Sequence, residues 1–235
     1  MPSGRAGDTG DGAPDTPSTA LARAGLGGAG TVLDVGCGGG RAGLALVPPA
    51  VAVTGVDRDA ARLAAFRTAA SARGVSFVAL LGEWPAVAGE VPAADVVVCH
   101  DVAYSVPDLG PFAVALHTHA RRRVVLELRR RHPLAATAPL WRQFWGLERP
   151  AGPTADDALA VLREAGLPAR QVPWQDPARP TAVPFGRQVE IARIRLCLPA
   201  DRDGEIAAAL RAQPARPPEV VTIWWDRSGD LPDRA

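Results

Sequence analysis

A chain of 235 residues with 47% apolar content is long enough to build one α/β domain around a substantial core. Its 26 basic and 25 acidic residues nearly cancel, so no overall field draws it to nucleic acid or to an anionic membrane surface. All the basic residues are arginine, which with the abundant Ala, Gly and Pro reads as coding bias and lowers the weight of any Arg cluster.

Cys37, Cys99 and Cys197 are odd in number and far apart, without the paired spacing of a zinc or redox site, as expected of a reducing compartment. No segment reaches the roughly 18–20 continuous apolar residues of a membrane span, and no basic start leads into an apolar run. The expectation is a soluble, cytoplasmic protein with no bound metal and no membrane partner.

Residues 1–16 are Gly, Pro and Asp with almost nothing to bury, and are predicted to be a disordered tail before a single domain over 17–235. From Thr31 short β-branched runs alternate with Ala/Leu-rich stretches, the pattern of a parallel sheet with crossover helices. Strands are predicted at 31–35, 51–56, 75–81, 95–99 and 123–128, then at 169–174 and 219–225. A helix over 59–73 stops at Gly74. Another starts at Thr154, with Asp157 three residues on as a capping box, and ends at Gly166. Two stretches interrupt the alternation: 129–153, and 175–218 with helices expected near 185–197 and 202–212.

The densest signal is Asp34-Val35-Gly36-Cys37-Gly38-Gly39-Gly40, directly after an apolar strand and before a short helix. Glycines there let the backbone turn sharply and approach a ligand without a Cβ in the way. Asp57 closes the second strand, where a carboxylate can accept from both hydroxyls of a ribose. Arg58 follows it, and Gly82-Glu83-Trp84 follows the third strand, with Trp84 able to stack on a ring.

TVLDVGCGGG resembles the first motif of the class I, Rossmann-like S-adenosylmethionine-dependent methyltransferases, an acid followed by alternate glycines. Asp57 is similar to their second-motif acid, and Gly82-Glu83 to their Gly-Asp pair, with Glu in place of Asp. The resemblance implies a doubly wound α/β sheet, mostly parallel with an antiparallel last strand and helical inserts after the fifth and sixth strands. It implies S-adenosyl-L-methionine as cofactor, held by Asp34, Gly36, Cys37, Gly38, Gly40, Asp57, Arg58, Gly82, Glu83, Trp84 and His100. A rival remains in Gly38-Gly39-Gly40-Arg41-Ala42-Gly43, which satisfies the G-x-G-x-x-G pattern of nicotinamide enzymes but starts two residues late relative to the strand.

The acceptor side is less legible. Cys99-His100-Asp101-Val102-Ala103-Tyr104-Ser105 leaves the fourth strand at the carboxyl edge, where open α/β sheets bind ligands. His100, Asp101 and Tyr104 form the catalytic shortlist, His100 as a general base with Asp101 orienting it or holding an acceptor amine. An equally open reading is that His100 caps the strand end and contacts the cofactor through its backbone, and Tyr104 is also open to a packing role. Arg121–Arg123 and Arg129–Arg131 place six Arg in eleven residues, suited to an anionic acceptor or to a solvated face. Trp141, Phe144 and Trp145 share a helical face and either wall an aromatic-binding pocket or fill core. A small-molecule acceptor is the leading expectation, nucleic acid is disfavoured, and RNA or protein methylation and a non-catalytic cofactor binder remain alternatives.

Overall fold

The computed structural model describes residues 15–176, 183–213 and 219–227. In chain order these form α1 (Pro17–Leu26), β1 (Gly30–Val35), α2 (Arg41–Leu44), β2 (Ala50–Asp57), α3 (Ala60–Ala72), β3 (Ser76–Leu81) and β4 (Ala94–His100). Then come α4 (Leu109–His119), β5 (Ala120–Arg129), α5 (Ala138–Trp145), α6 (Ala155–Glu164), β6 (Arg170–Gln175), α7 (Phe185–Leu196), α8 (Asp203–Ala212) and β7 (Glu219–Asp226).

The seven strands make one sheet in the order β3-β2-β1-β4-β5-β7-β6. β7 runs antiparallel to both its neighbours, β5 and β6, and the pairs among β1 to β5 are parallel. The order therefore reverses beside β1, and the carboxyl ends of β1 and β4 diverge into a crevice of the kind in which open sheets bind ligands. The antiparallel β7 inserted before β6 also departs from the 3-2-1-4-5-6 order of the dinucleotide-binding fold.

The central strands are apolar on both faces because both are covered. Val32, Val53, Val96 and Val125 pack under α1, α2 and α3, against Ala22, Leu44, Leu63 and Phe66. Leu33, Val97, Val124, Leu126 and Trp225 face α4 and α6, against Phe112, Leu116, Leu159 and Leu162.

Helix boundaries follow local chemistry. Asp59 caps α3 by accepting from Ala61 and Arg62 N–H. Thr154 and Asp157 close the expected capping box on α6, each side chain accepting the other's backbone N–H. α1 was not expected from the sequence. Thr16 caps it, Pro17 opens it and its small residues bury Ser18, Ala22 and Leu26, a stripe too short and too poor in large side chains to stand out in the sequence.

Of the predicted tail, all but Asp15 and Thr16 lies outside the described residues. The stretch 185–197, which alternates like a strand as well as a helix, is the helix α7. Both interrupting stretches contribute helices: Leu140 of α5, Val189 and Leu196 of α7 and Ile206 of α8 form a small core of their own. Trp141 and Phe144 pack against that core, so their spacing reflects helix packing, and among the described residues neither lines one of the two cavities below.

The Arg triplets do not form one patch. They sit at opposite ends of β5, roughly 25 Å apart at about 3.3 Å per residue. Arg123 is paired with Asp226 at 2.7 Å, and Arg130 with Glu219 and Asp156 at 3.0 and 3.3 Å.

Candidate active site

The loop after β1 turns in a way that requires its glycines. Gly36 and Gly38 have φ of +73° and +53°, in the left-handed region. The Gly36 and Cys37 N–H groups donate to the Val56 carbonyl at 2.8 and 3.0 Å, which ties the loop to the end of β2. A Cβ at Gly36 would meet Val102 Cγ2 at 2.3 Å, whereas one at Gly38 would meet nothing within 4 Å. The loop is thus pressed against the β4 turn at Gly36 and open at Gly38.

Asp57, at the end of β2, is buried and accepts from Gly38 N–H at 2.8 Å on one oxygen and from Asp59 N–H at 2.9 Å on the other. One carboxylate thereby sets both the loop and the start of α3. An ionised carboxylate has about four lone-pair sites, so each oxygen has capacity for a second donor.

Gly36, Asp57, Arg58, Gly82, Glu83, Trp84 and Asp101 line one cavity of about 160 Å³ at the carboxyl ends of β1, β2, β3 and β4. Arg58 and Glu83 approach within 3.5 Å at its exposed side. Trp84 forms an inner wall, its indole N–H donating to the Phe112 carbonyl at 3.4 Å and its ring standing edge-on to His119. Val102 and Val106, from the turn after β4, and Phe112, from α4, complete the apolar side; no sequence pattern marked Phe112, because it reaches the cavity only through the packing of α4.

Three residues expected at the cofactor support the loop from behind instead of lining the cavity. Asp34 is fully buried and accepts from Gly43 N–H at 2.8 Å, fastening α2 to β1; burial pushes its carboxyl up to about 7. Cys37 is buried among the α3 side of the core, where burial and the nearby Asp34 and Asp57 push its thiol well up. Gly40 has φ +89° and begins α2, and a Cβ there would strike Leu44 at 2.5 Å.

The acceptor-side shortlist divides. Asp101, with φ +60°, lines this first cavity, while Tyr104 lines a second one and takes a hydrogen bond from Arg129 N–H. His100 is nearly buried, and the carboxylate standing beside its Nδ1 is Glu127 Oε2 at 3.7 Å, across the β4–β5 register in which the two residues are paired. Arg41 reaches over from α2 and donates to both Asp101 and Glu127, each at 3.2 Å.

Glu127 was missed at the sequence level. Its signal is a lone acid in the apolar run VVLEL, at the carboxyl edge of a central strand, where a buried charge needs partners. Burial pushes its carboxyl up, but the charges of His100 and Arg41 and hydrogen bonds from Ser18 and Arg41 outweigh that and hold it below the usual glutamate range.

The family comparison agrees with this architecture. A family model described as a methyltransferase domain matches residues 32–123, the segment from β1 into β5. The YcgJ protein of Bacillus subtilis is 18% identical, with a TM-score of 0.58 over 90% of this chain and 99% of that one. The S-adenosylmethionine-dependent methyltransferase of Thiobacillus denitrificans, in complex with S-adenosyl-L-homocysteine, is 19% identical, with a TM-score of 0.55 over 90% and 92%. The magnesium protoporphyrin IX methyltransferase of Synechocystis PCC 6803 is 16% identical, with a TM-score of 0.57 over 90% and 80%. No curated protein matches the sequence.

The fold is that of the Rossmann-like methyltransferases. A methyltransferase-domain model matches residues 32–123, the part of the chain that carries the glycine loop, Asp57 and His100.

Proposed function

We propose that the chain methylates a small molecule, with the cofactor in the cavity between the glycine loop, Asp57 and Trp84. The observation that carries this reading is the convergence on one cavity of residues from four successive strand ends. The cavity's chemistry suits the cofactor. Asp57 retains acceptor capacity for a ribose hydroxyl, the Trp84 and Phe112 wall suits an adenine, and Gly36 brings bare backbone to the lining. When bound, S-adenosylmethionine supplies an electrophilic methyl group on a sulfonium, so the protein's part is mainly alignment.

Residues of this chain supply the alignment. His100 lines neither cavity and both its ring nitrogens are buried, with Glu127 Oε2 3.7 Å from Nδ1, so in this reading the pair fixes the carboxyl ends of β4 and β5 and does not take a proton from the acceptor directly. Arg41 locks Glu127 and Asp101 to the glycine-loop helix, so that the loop and the ends of β4 and β5 share one frame. Asp101 faces the cofactor cavity, where its carboxylate is placed to hold a cationic acceptor group.

A small acceptor is favoured over RNA because the Arg triplets are separated and Arg122, Arg123 and Arg130 are engaged in ion pairs. Two structural neighbours are described as acting on small molecules, the magnesium protoporphyrin IX enzyme and a putative sarcosine dimethylglycine methyltransferase from Galdieria sulphuraria. Free cysteines at 37, 99 and 197 suit a cytoplasmic setting, and no helix among the described residues is long and apolar enough to cross a membrane. The two helical stretches belong to the same single domain as the sheet in this reading.

S-adenosylmethionine and S-adenosylhomocysteine are expected to raise the melting temperature, and NAD and NADP to leave it unchanged, since a ligand that binds only the native state must stabilise it. Protection by NAD alone would move the chain to the oxidoreductases. A finer test is Asp57→Asn, which replaces one acceptor oxygen by an amide donor facing N–H groups. Titration calorimetry should show cofactor affinity weaker by about 1.5–3 kcal/mol, the scale of a hydrogen bond to a charged group. Unchanged affinity in a folded variant would take Asp57 out of the site.

A further inference from the structure

The turn after β4 has two sides. Val102 and Ser105 face the cofactor cavity, Ala103 and Tyr104 face a second cavity of about 310 Å³, and Val106 and Pro107 line both. The far wall of the second cavity is the first half of α6. Its interior is apolar, built from Tyr104, Leu109, Leu128, Ala158 and Val161. The Tyr104 ring is fixed: its hydroxyl takes the Arg129 N–H and the ring stands edge-on to His132, centroids 5.5 Å apart.

The charged side chains among the described lining residues are Asp108 and Asp157, both carboxylates and both exposed at the rim. The Thr154 N–H and hydroxyl each donate to Asp157 at 2.8 Å and hold its carboxyl below the usual range, so it is ionised at neutral pH. An apolar volume of this size with a few polar groups at its edge is in the range of small-molecule sites. A rim of two carboxylates repels an anion.

We propose that this second cavity takes the apolar body of the methyl acceptor, and that the acceptor is an uncharged or cationic apolar small molecule and not an anion. The proposal rests on reading the adjoining cavity as the cofactor site, since the two cavities meet at Val106 and Pro107, which line both and across which the acceptor's reacting atom must reach the sulfonium methyl. It narrows the acceptor classes that the arginine clusters suggest, because those clusters lie at the ends of β5 and contribute no side chain to the described lining.

The test is a matched pair of fluorescent probes, neutral phenylnaphthylamine and its sulfonated counterpart anilinonaphthalenesulfonate, added to the full chain saturated with S-adenosylhomocysteine. The neutral probe is expected to fill one saturable site, and the sulfonate to bind about tenfold more weakly, the scale of a like-charge contact near a protein surface. Val161→Phe, which fills the cavity from α6, should remove the neutral probe's site. Asp108→Asn, at a helix start where no side-chain cap hydrogen bond depends on it, should narrow the gap between the probes.

Sulfonate binding as tight as neutral binding, or neutral binding unchanged in a folded Val161→Phe, overturns the proposal. If that variant does not fold, an unchanged gap in Asp108→Asn overturns it. Displacement of the neutral probe by S-adenosylhomocysteine assigns it to the cofactor cavity and also overturns it. Thermal protection by S-adenosylhomocysteine with no probe site sinks this proposal alone, whereas a probe site in a chain that S-adenosylhomocysteine does not protect sinks the cofactor reading instead.

Discussion

Gly36→Ala should leave a folded but weakened protein that no longer binds S-adenosylhomocysteine. Residue 36 sits at φ +73°, where a side chain costs about 1–2 kcal/mol, and its new Cβ would lie 2.3 Å from Val102 Cγ2. Val102 is a short, branched side chain on the cavity wall and cannot swing aside without moving the turn that carries Asp101 and Ser105. Overpacking of this kind adds about 1–3 kcal/mol. The combined loss of stability is therefore about 2–5 kcal/mol, and cofactor affinity should fall by about a hundredfold or more, because both walls of the cavity shift together. Gly38→Ala is the informative contrast: its backbone strain is similar, but its Cβ meets no protein atom, so any loss of binding there reports contact with the ligand itself. Urea denaturation and calorimetry on the two variants separate the effects. Wild-type affinity in Gly36→Ala would show that the cavity beside Val102 is not where the cofactor sits.

Asp34→Asn should make the protein more stable, and only at neutral to alkaline pH. Burial dominates this carboxyl and raises it from 3.8 to about 7, with the neighbouring Asp57 charge adding to the rise and the Gly43 hydrogen bond and Arg41 opposing it. The sign follows from proton binding. Between about pH 4 and 7 the folded chain holds a proton that the unfolded chain has released, so the stability linked to neutral Asp34 is complete below about pH 4 and is lost as the pH rises through 7. A shift of about three units corresponds to at most about 4 kcal/mol. Asparagine keeps an oxygen for Gly43 N–H and carries no charge, so the variant should gain about 2–4 kcal/mol at pH 8 and match the wild type near pH 4. Because Asp34 does not line the cavity, its cofactor affinity should change little. A variant that is less stable than wild type at pH 8 would mean that the ionised carboxylate is held favourably, and would remove this account of the residue.

Much of the architecture is legible in the chain itself. Short apolar runs that end at Val35, Asp57 and His100 are strands because a central parallel strand must be apolar on both faces. The glycine loop is equally local: glycine adopts the left-handed turns at 36, 38 and 40 without the strain a side chain would add, so the motif announces its conformation within a few residues. The capping box at Thr154 and the stop at Gly74 likewise act within a few residues.

What the sequence left open depends on contacts between distant elements. The alternate glycines do not reveal that Gly40 and Asp34 serve packing while Gly36 lines the cavity, because that depends on which neighbour, Leu44, Gly43 or Val102, each one meets. Trp141 and Phe144 present the same helical stripe whether they wall a pocket or fill a core; the arrival of α7 and α8 assigns them to the core. Glu127 becomes a partner of His100 only through the β4–β5 register, and Arg41 joins them only because α2 follows the glycine loop across the sheet edge. Periodicity and local dihedral preference act over a few residues and can be read along the chain. A buried charge cluster or a cavity is defined by the distances between elements far apart in sequence, and only the packed tertiary structure sets those.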